Sequence, residues 1–249
     1  MDFQVKGHSK YNLKLENNIV TKSSFNDDKR LVISATKQKK FKSNFFKKPK
    51  VYQIESDSFQ MEYIKGESFS QFFNTATKRD LDFLIKKIDG YLKENIIGNV
   101  DIPISVFKNK LKSLPNGEDL LHIFGTKEFI NVHVGLSHGD LTFSNMIFAE
   151  ETYLIDFLDS YLESPTIDIV KLRQDTDLFW SLNMIDENVD LTKIKLCLNY
   201  IDSWIESNYK IEDYNILQII NLVRIYPYTS DNKIKTWLEK NINKLCETL

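Results

Sequence analysis

From the N-terminus to about residue 65, apolar and polar positions alternate in short runs, the period of a strand with one face buried. Asn12-Leu13-Lys14-Leu15 and Ile19-Val20-Thr21-Lys22 flank the turn residues Glu16-Asn17-Asn18. A second pair, residues 50–54 and 59–64, surrounds the polar turn at 55–58. Between the two pairs, residues 29–42 read as a helix, with Leu31, Ala35 and Gln38 at helical spacing. After Gly66 the period changes. Leu81, Phe83, Leu84, Ile88, Tyr91 and Leu92 form a helical stripe, and 107–114 and 119–124 are shorter helical pieces around Pro115-Asn116-Gly117. Residues 167–184, 191–207, 212–225 and 231–247 read as four further helices. Two short strands, Met146-Ile147-Phe148 and Tyr153-Leu154-Ile155, interrupt them around the turn at 149–152. The pattern predicts an α+β chain of two lobes, a small β-rich lobe over 1–65 and a larger helical lobe over 66–249.

Composition narrows the class without naming a chemistry. The chain has 249 residues, 42% hydrophobic and 27% charged, as an ordinary globular protein with room for a substantial core does. A net charge of −2 gives no general attraction to nucleic acid. The run from Lys37 to Lys50 does hold seven lysines among Phe41, Phe45 and Phe46. A solvated surface with its phenylalanines turned inward is preferred there over a patch for nucleic acid or an anionic membrane. Cys197 and Cys246 make neither a disulfide framework nor a zinc spacing. Met1–Lys6 shows no apolar leader and no run is long enough to span a bilayer, so a cytoplasmic location without membrane insertion is expected. Nothing in the pattern speaks to oligomeric state.

The chemistry is concentrated between residues 138 and 159: His138-Gly139-Asp140-Leu141-Thr142-Phe143-Ser144-Asn145, then Ile155-Asp156-Phe157-Leu158-Asp159. Phosphoryl transfer needs an in-line hydroxyl, a group to position it and take its proton, and cationic charge on the phosphates. Asp140 is the candidate base. Asn145 and Asp156, which a short hairpin brings together, are candidate Mg²⁺ ligands, since that cation prefers oxygen donors. Asp159 serves the site or caps the following turn. Asp175, Asp177, Asp186, Glu187 and Asp190 are weak candidates for attracting a cationic acceptor. Trp180, Tyr200, Trp204 and Trp237 read as core rather than as an aromatic cage, and Arg224 as an acceptor-site residue or a tie for the last helix.

These residues resemble the aminoglycoside phosphotransferase and choline kinase group within the protein-kinase-like fold. That group has His-Gly-Asp where protein kinases usually have His-Arg-Asp, and often lacks the glycine after the metal-binding Asp; Gly139 and Leu158 match both habits. The resemblance implies a two-lobed protein-kinase-like fold and an ATP- and Mg²⁺-dependent enzyme acting on a small molecule. The acceptor would be a sugar, an aminoglycoside, a choline-like aminoalcohol or a cell-surface glycan precursor. By the same resemblance Lys22 pairs with the ATP phosphates, Gly7 and Ser9 belong to a reduced phosphate loop, and Met61, Glu62 and Ile64 form the hinge that binds adenine. His138 becomes structural, and Asp168 buttresses the catalytic loop. Two departures stand out: the phosphate loop has one glycine, and no Glu follows Lys22 to pair with it. Gln38 is the nearest substitute and reads as a helix-surface residue. A nucleotide-binding pseudokinase that regulates a partner is the alternative. A metal-dependent hydrolase lacks suitably spaced ligands around His8, His122 and His133.

Overall fold

Lys22 lies in the second strand of a four-stranded antiparallel sheet, ordered β1 (Asn12–Glu16), β2 (Ile19–Ser23), β4 (Ser58–Glu62), β3 (Val51–Ile54). A computed structural model describes residues 11–24, 29–185 and 188–249. Lys22 pairs across the ladder with Leu13 on one side and Phe59 on the other. Because side chains alternate along a strand, Lys22 shares a face with Val20, which packs on the small core of this sheet. Helix α1 (Lys29–Lys40) covers the sheet, burying Leu31 and Ala35 against Val51, Phe59 and Met61. Gln38 lies on that same face. Only 1% exposed, it donates its amide to Pro49 O at 3.2 Å and Met61 Sδ at 3.5 Å. The surface position expected for it is wrong.

The segment after α1 crosses to the helical lobe. Phe46 is buried in the larger core beside Tyr91, and the Phe41 ring lies 4.8 Å from that of Phe157. The phenylalanines of the lysine-rich run therefore turn inward, as expected. Helix α2 (Phe69–Thr75) and helix α3 (Lys78–Asn95) each begin with a capping box, at Ser68 and Gln71 and at Thr77 and Asp80. They pack with α6 (Leu191–Asn208) around Phe73, Ile88, Leu92, Leu141 and Phe143. A second core joins α4 (Ile104–Lys112), α7 (Tyr214–Val223) and α8 (Asn232–Cys246). Helix α5 (Pro165–Thr176) lies between the two cores, with Ile169 and Leu172 in one and Val170 in the other; every residue of it but Arg173 is buried.

The structure departs from the predicted elements in two places. Strands β5 (Ile96–Pro103) and β6 (Phe129–Gly135) pair antiparallel where helices were expected to dominate. β5 is largely exposed and runs on directly from α3, so it carries no buried alternation. The helix expected over 167–184 ends at Thr176, and a 3₁₀ turn, Trp180–Met184, follows after Phe179 takes a left-handed φ of 58°. The cause is Asp175, whose carboxylate accepts hydrogen bonds from Ser181 N and Oγ at 2.9 and 2.7 Å and folds the chain back. Among the described residues no helix is long and apolar enough to cross a membrane.

Candidate active site

The strand pair β7 (Met146–Phe148) and β8 (Thr152–Leu154) sets the site. Met146 pairs with Leu154, and the ladder extends one step further because Ile155 N donates to Asn145 O at 3.0 Å. Asn145 and Asp156 are thereby brought to one end of the hairpin, as their spacing implied. Asp156 then turns the chain with φ 57°, a left-handed conformation that Asp tolerates better than most residues. Its carboxylate meets Lys22 across the cleft, Nζ to Oδ1 at 2.8 Å. Lys22 is only 8% exposed while the Asp156 side chain keeps 40% exposure, so the ion pair that joins sheet lobe and helical lobe is covered on the lysine side and open on the carboxylate side.

Asp140 is held from both sides. Asn145 Nδ2 donates to its Oδ2 at 3.0 Å and to its backbone O at 2.8 Å, while Lys171 Nζ lies 3.0 Å from Oδ1. The surrounding protein pushes the carboxyl up, but the Lys171 ammonium, followed by His138 and Asn145, outweighs that effect and holds it below the usual range. With its side chain still 30% exposed, Asp140 is an ionised acceptor open to solvent.

His138 is not placed as a base. Fully buried, it donates from Nε2 to Ile155 O at 2.9 Å, which leaves Nδ1 to accept from Asp140 N at 3.3 Å. Burial lowers the ring to about 4, so it is neutral at physiological pH. Its carbonyl accepts from Leu158 N at 3.1 Å, latching the catalytic loop to the bend after Asp156. Gly139 explains the His-Gly-Asp sequence: φ is 89°, and a Cβ there would overlap the Leu158 carbonyl oxygen. Behind the loop, Asp168 accepts from His138 N at 2.6 Å, Gly139 N at 2.8 Å and the Tyr91 hydroxyl at 2.7 Å. Burial pushes its carboxyl up to about 6 against those three hydrogen bonds.

Other expected residues are placed less directly. Gly7 and Ser9 lie outside the described residues. Met61 and Glu62 are ladder residues of β4, with Met61 in the small core and Glu62 N donating to Lys50 O at 2.9 Å; Ile64 is half-buried in the connection that follows. A cavity of about 690 Å³ beyond that connection is lined by Gly66, Phe72, Phe83 and Phe148, but by none of the site residues. Asp175 accepts from Phe143 N at 2.6 Å as well as from Ser181, Asp177 accepts from the Tyr214 hydroxyl, and Asp190 caps α6. Those three carboxylates are committed to the fold rather than offered to a cationic acceptor; Asp186 and Glu187 lie outside the described residues. Trp180 and Trp237 pair in the second core, and Arg224 stacks on Tyr161 and reaches Ser160 Oγ at 3.4 Å. Two residues went unread in the sequence. Lys37 ties α1 to the loop after Asp156 through Leu158 O and Glu163, and Lys171 contacts the candidate base.

A model of the ecdysteroid kinase-like family matches residues 23–172. The chain belongs to that family. The match begins one residue after Lys22 and takes in the catalytic loop, Asn145, Asp156, Asp168 and Lys171. This ecdysteroid kinase-like chain is also 25% identical over 134 residues to the EKC/KEOPS complex subunit BUD32 of Enterocytozoon bieneusi (strain H348); the segment spans 49% of the chain and 64% of that relative. Its fold is similar to that of aminoglycoside phosphotransferase APH(2'')-IIa in a gentamicin complex, with a TM-score of 0.55 at 18% identity over 100% of this chain and 91% of the other. The ADP-bound APH(2'')-Ib is similar at a TM-score of 0.52 and 19% identity, over 96% and 90% of the two chains. The ecdysteroid kinase-like chain thus has the α+β kinase-like fold expected of it.

Proposed function

We propose that the chain is an ATP- and Mg²⁺-dependent phosphotransferase that moves the γ-phosphate to a hydroxyl of a small molecule. The observation that carries this reading is the Lys22–Asp156 pair at 2.8 Å, closed across the cleft beside the Asn145–Asp140 contact at 3.0 Å. Two elements of the reaction then have a side chain each, and a third has a stretch of backbone. Asp140 takes the proton of the acceptor hydroxyl as that oxygen bonds to the γ-phosphorus and the bond to the ADP oxygen breaks. Lys22 supplies a fixed cation for the phosphates, reached from a rigid strand. Met61, Glu62 and Ile64 border the adenine position.

The donor set fits Mg²⁺. Asn145 commits its NH₂ to Asp140, so its amide oxygen would coordinate together with the Asp156 carboxylate, the two residues sharing one end of the β7–β8 hairpin. Among the described residues no group of three His, Cys, Asp or Glu could hold a metal. Mg²⁺ commonly takes one or two protein oxygens and fills its remaining positions with substrate phosphates and water. When bound, the ion neutralises charge on those phosphates. The family and the gentamicin-bound APH(2'')-IIa structure support a small-molecule acceptor, and the ADP-bound APH(2'')-Ib structure supports a nucleotide in the cleft.

The test is turnover of Mg²⁺–ATP across a panel of sugars, aminoglycosides, aminoalcohols and polyhydroxylated sterols, with Asp140→Asn as control. Acceptor-dependent turnover that falls by about 10²-fold or more in the variant is expected. Nucleotide binding without turnover on any acceptor would favour a regulatory pseudokinase, and no nucleotide binding would end the reading.

A further inference from the structure

Helix α5 presents three polar side chains to the catalytic loop at intervals of three and four residues: Asp168, Lys171 and Asp175. That spacing puts all three on one helix face. Asp168 holds the amides of residues 138 and 139, Lys171 the carboxylate of Asp140, and Asp175 the amide of Phe143. Two of the three act on backbone. Lys171 alone acts on the reacting side chain.

Stability gives no reason for a lysine at this point. Its side chain is 7% exposed, and withdrawing an ammonium from water costs about as much as pairing returns. A methionine of similar length would fill the space without that cost. The ammonium is instead aimed: it reaches Asp140 Oδ1 at 3.0 Å and Gln174 Oε1 at 3.3 Å, and Asn221 holds that same Gln174 oxygen at 2.6 Å. Gln174 and Asn221 are themselves buried, so the chain from α7 through Gln174 to Lys171 is closed to solvent. On the other side Asn145 binds Oδ2. Each carboxylate oxygen of Asp140 has one fixed donor, and the plane of the group is determined.

We infer that Lys171 is a positioning residue for phosphoryl transfer, fixing through its ammonium the orientation in which Asp140 meets the acceptor hydroxyl. This rests on the reading of Asp140 as the base. The catalytic loop itself offers no cation between Asp140 and Asn145, where the residues are Leu141, Thr142, Phe143 and Ser144. The cation that meets Asp140 comes instead from α5, outside the loop.

Basal hydrolysis of Mg²⁺–ATP tests this with water as acceptor, so no acceptor need be known. Lys171→Met is expected to lower kcat by about 10²-fold while KM for ATP stays within about threefold, since a misplaced group costs rate rather than ground-state binding. Lys171→Arg should recover most of the loss. In an Asp140→Asn background Lys171→Met should cost nothing further, because the two act as one unit. A purely structural lysine would instead give additive losses and no rescue by Arg. Additivity, or a Lys171→Met kcat within about threefold of wild type, overturns the inference. Should Lys171→Met fail to fold, Lys171→Arg is compared with Lys171→Gln; equal rates overturn the inference and a clear advantage for Arg supports it. Full activity in Asp140→Asn overturns the base assignment, a result the Lys171 single variants do not produce. A wild type that turns over ATP with neither water nor any acceptor overturns both.

Discussion

Replacing Gly139 with Ala adds one methyl group at the point where the catalytic loop passes closest to the bend after Asp156. Two costs follow from the geometry. The backbone has φ 89°, and an L-residue held in such a region is strained by about 1–3 kcal/mol. The new Cβ would also lie well inside 3.0 Å of the Leu158 carbonyl oxygen, which is backbone and has no rotamer to yield. Relief requires the two segments to separate by roughly 1 Å. That opens the hydrogen bond from Leu158 N to His138 O, now 3.1 Å, for about another 1 kcal/mol. The expected loss is therefore about 3 kcal/mol, or a fall in Tm of roughly 6–12 °C for a chain of this size. Since residue 140 is next in line, kcat should fall by about 10²-fold, by the same displacement. Urea unfolding and turnover of Mg²⁺–ATP measure the two effects. A variant within about 0.5 kcal/mol of wild type and with unchanged kcat would show that the loop is not packed against residue 158 as described.

Asp168→Ala strips partners from two buried amides and the Tyr91 hydroxyl, and should cost about 2–5 kcal/mol by urea unfolding while lowering kcat; a loss under about 1 kcal/mol would deny it the buttressing role. The His138 ring should stay neutral down to about pH 4, which a ring-carbon NMR titration reads directly; titration near 6.5 would refute its burial as described. The sign follows from linkage: a depressed folded pKa gives His138 a contribution of about 3 kcal/mol that is whole above pH 6.5 and lost as pH falls to about 4. Asp168 and Asp175, pushed up to about 6, act in the opposite sense, with contributions whole below the ordinary carboxylate pKa and lost as pH rises through 6. The opposing signs make NMR a sharper assay than melting temperature.

What was legible in the sequence was whatever is local. Asp140, Asn145 and Asp156 fall within seventeen residues joined by one hairpin, so spacing alone brought them together. Lys22 was visible only through resemblance, because its partner is 134 residues away. Gln38 was misread although the signal was present: Leu31, Ala35 and Gln38 stand at one helical face, and the face that buries two of them buries the third. Periodicity, not polarity, decides the burial of a side chain on that face. β5 had no such signal, since a largely exposed strand has no apolar alternation to display.

Helix α5 was the hardest element to read, for a physical reason. Amphipathic helices announce their inner face by contrast with a solvated one, and α5 has almost no solvated face. Lys171 and Gln174 therefore carry no sign of burial in the sequence, Asp168 is legible only through resemblance, and Asp175 stands out only as a weak candidate for attracting a cationic acceptor. In the fold they are interior groups, and an interior charge must have a partner. Burial on all sides thus turns each of these polar residues into a pointer: Asp168 to two loop amides, Asp175 to a third, and Lys171 to Asp140. A helix that packs against two cores can hold a loop at fixed distance along its length, because its own rotation and translation are already set by both. The loop over 138–145 inherits that rigidity through four polar contacts, one of which reaches the Asp140 carboxylate itself.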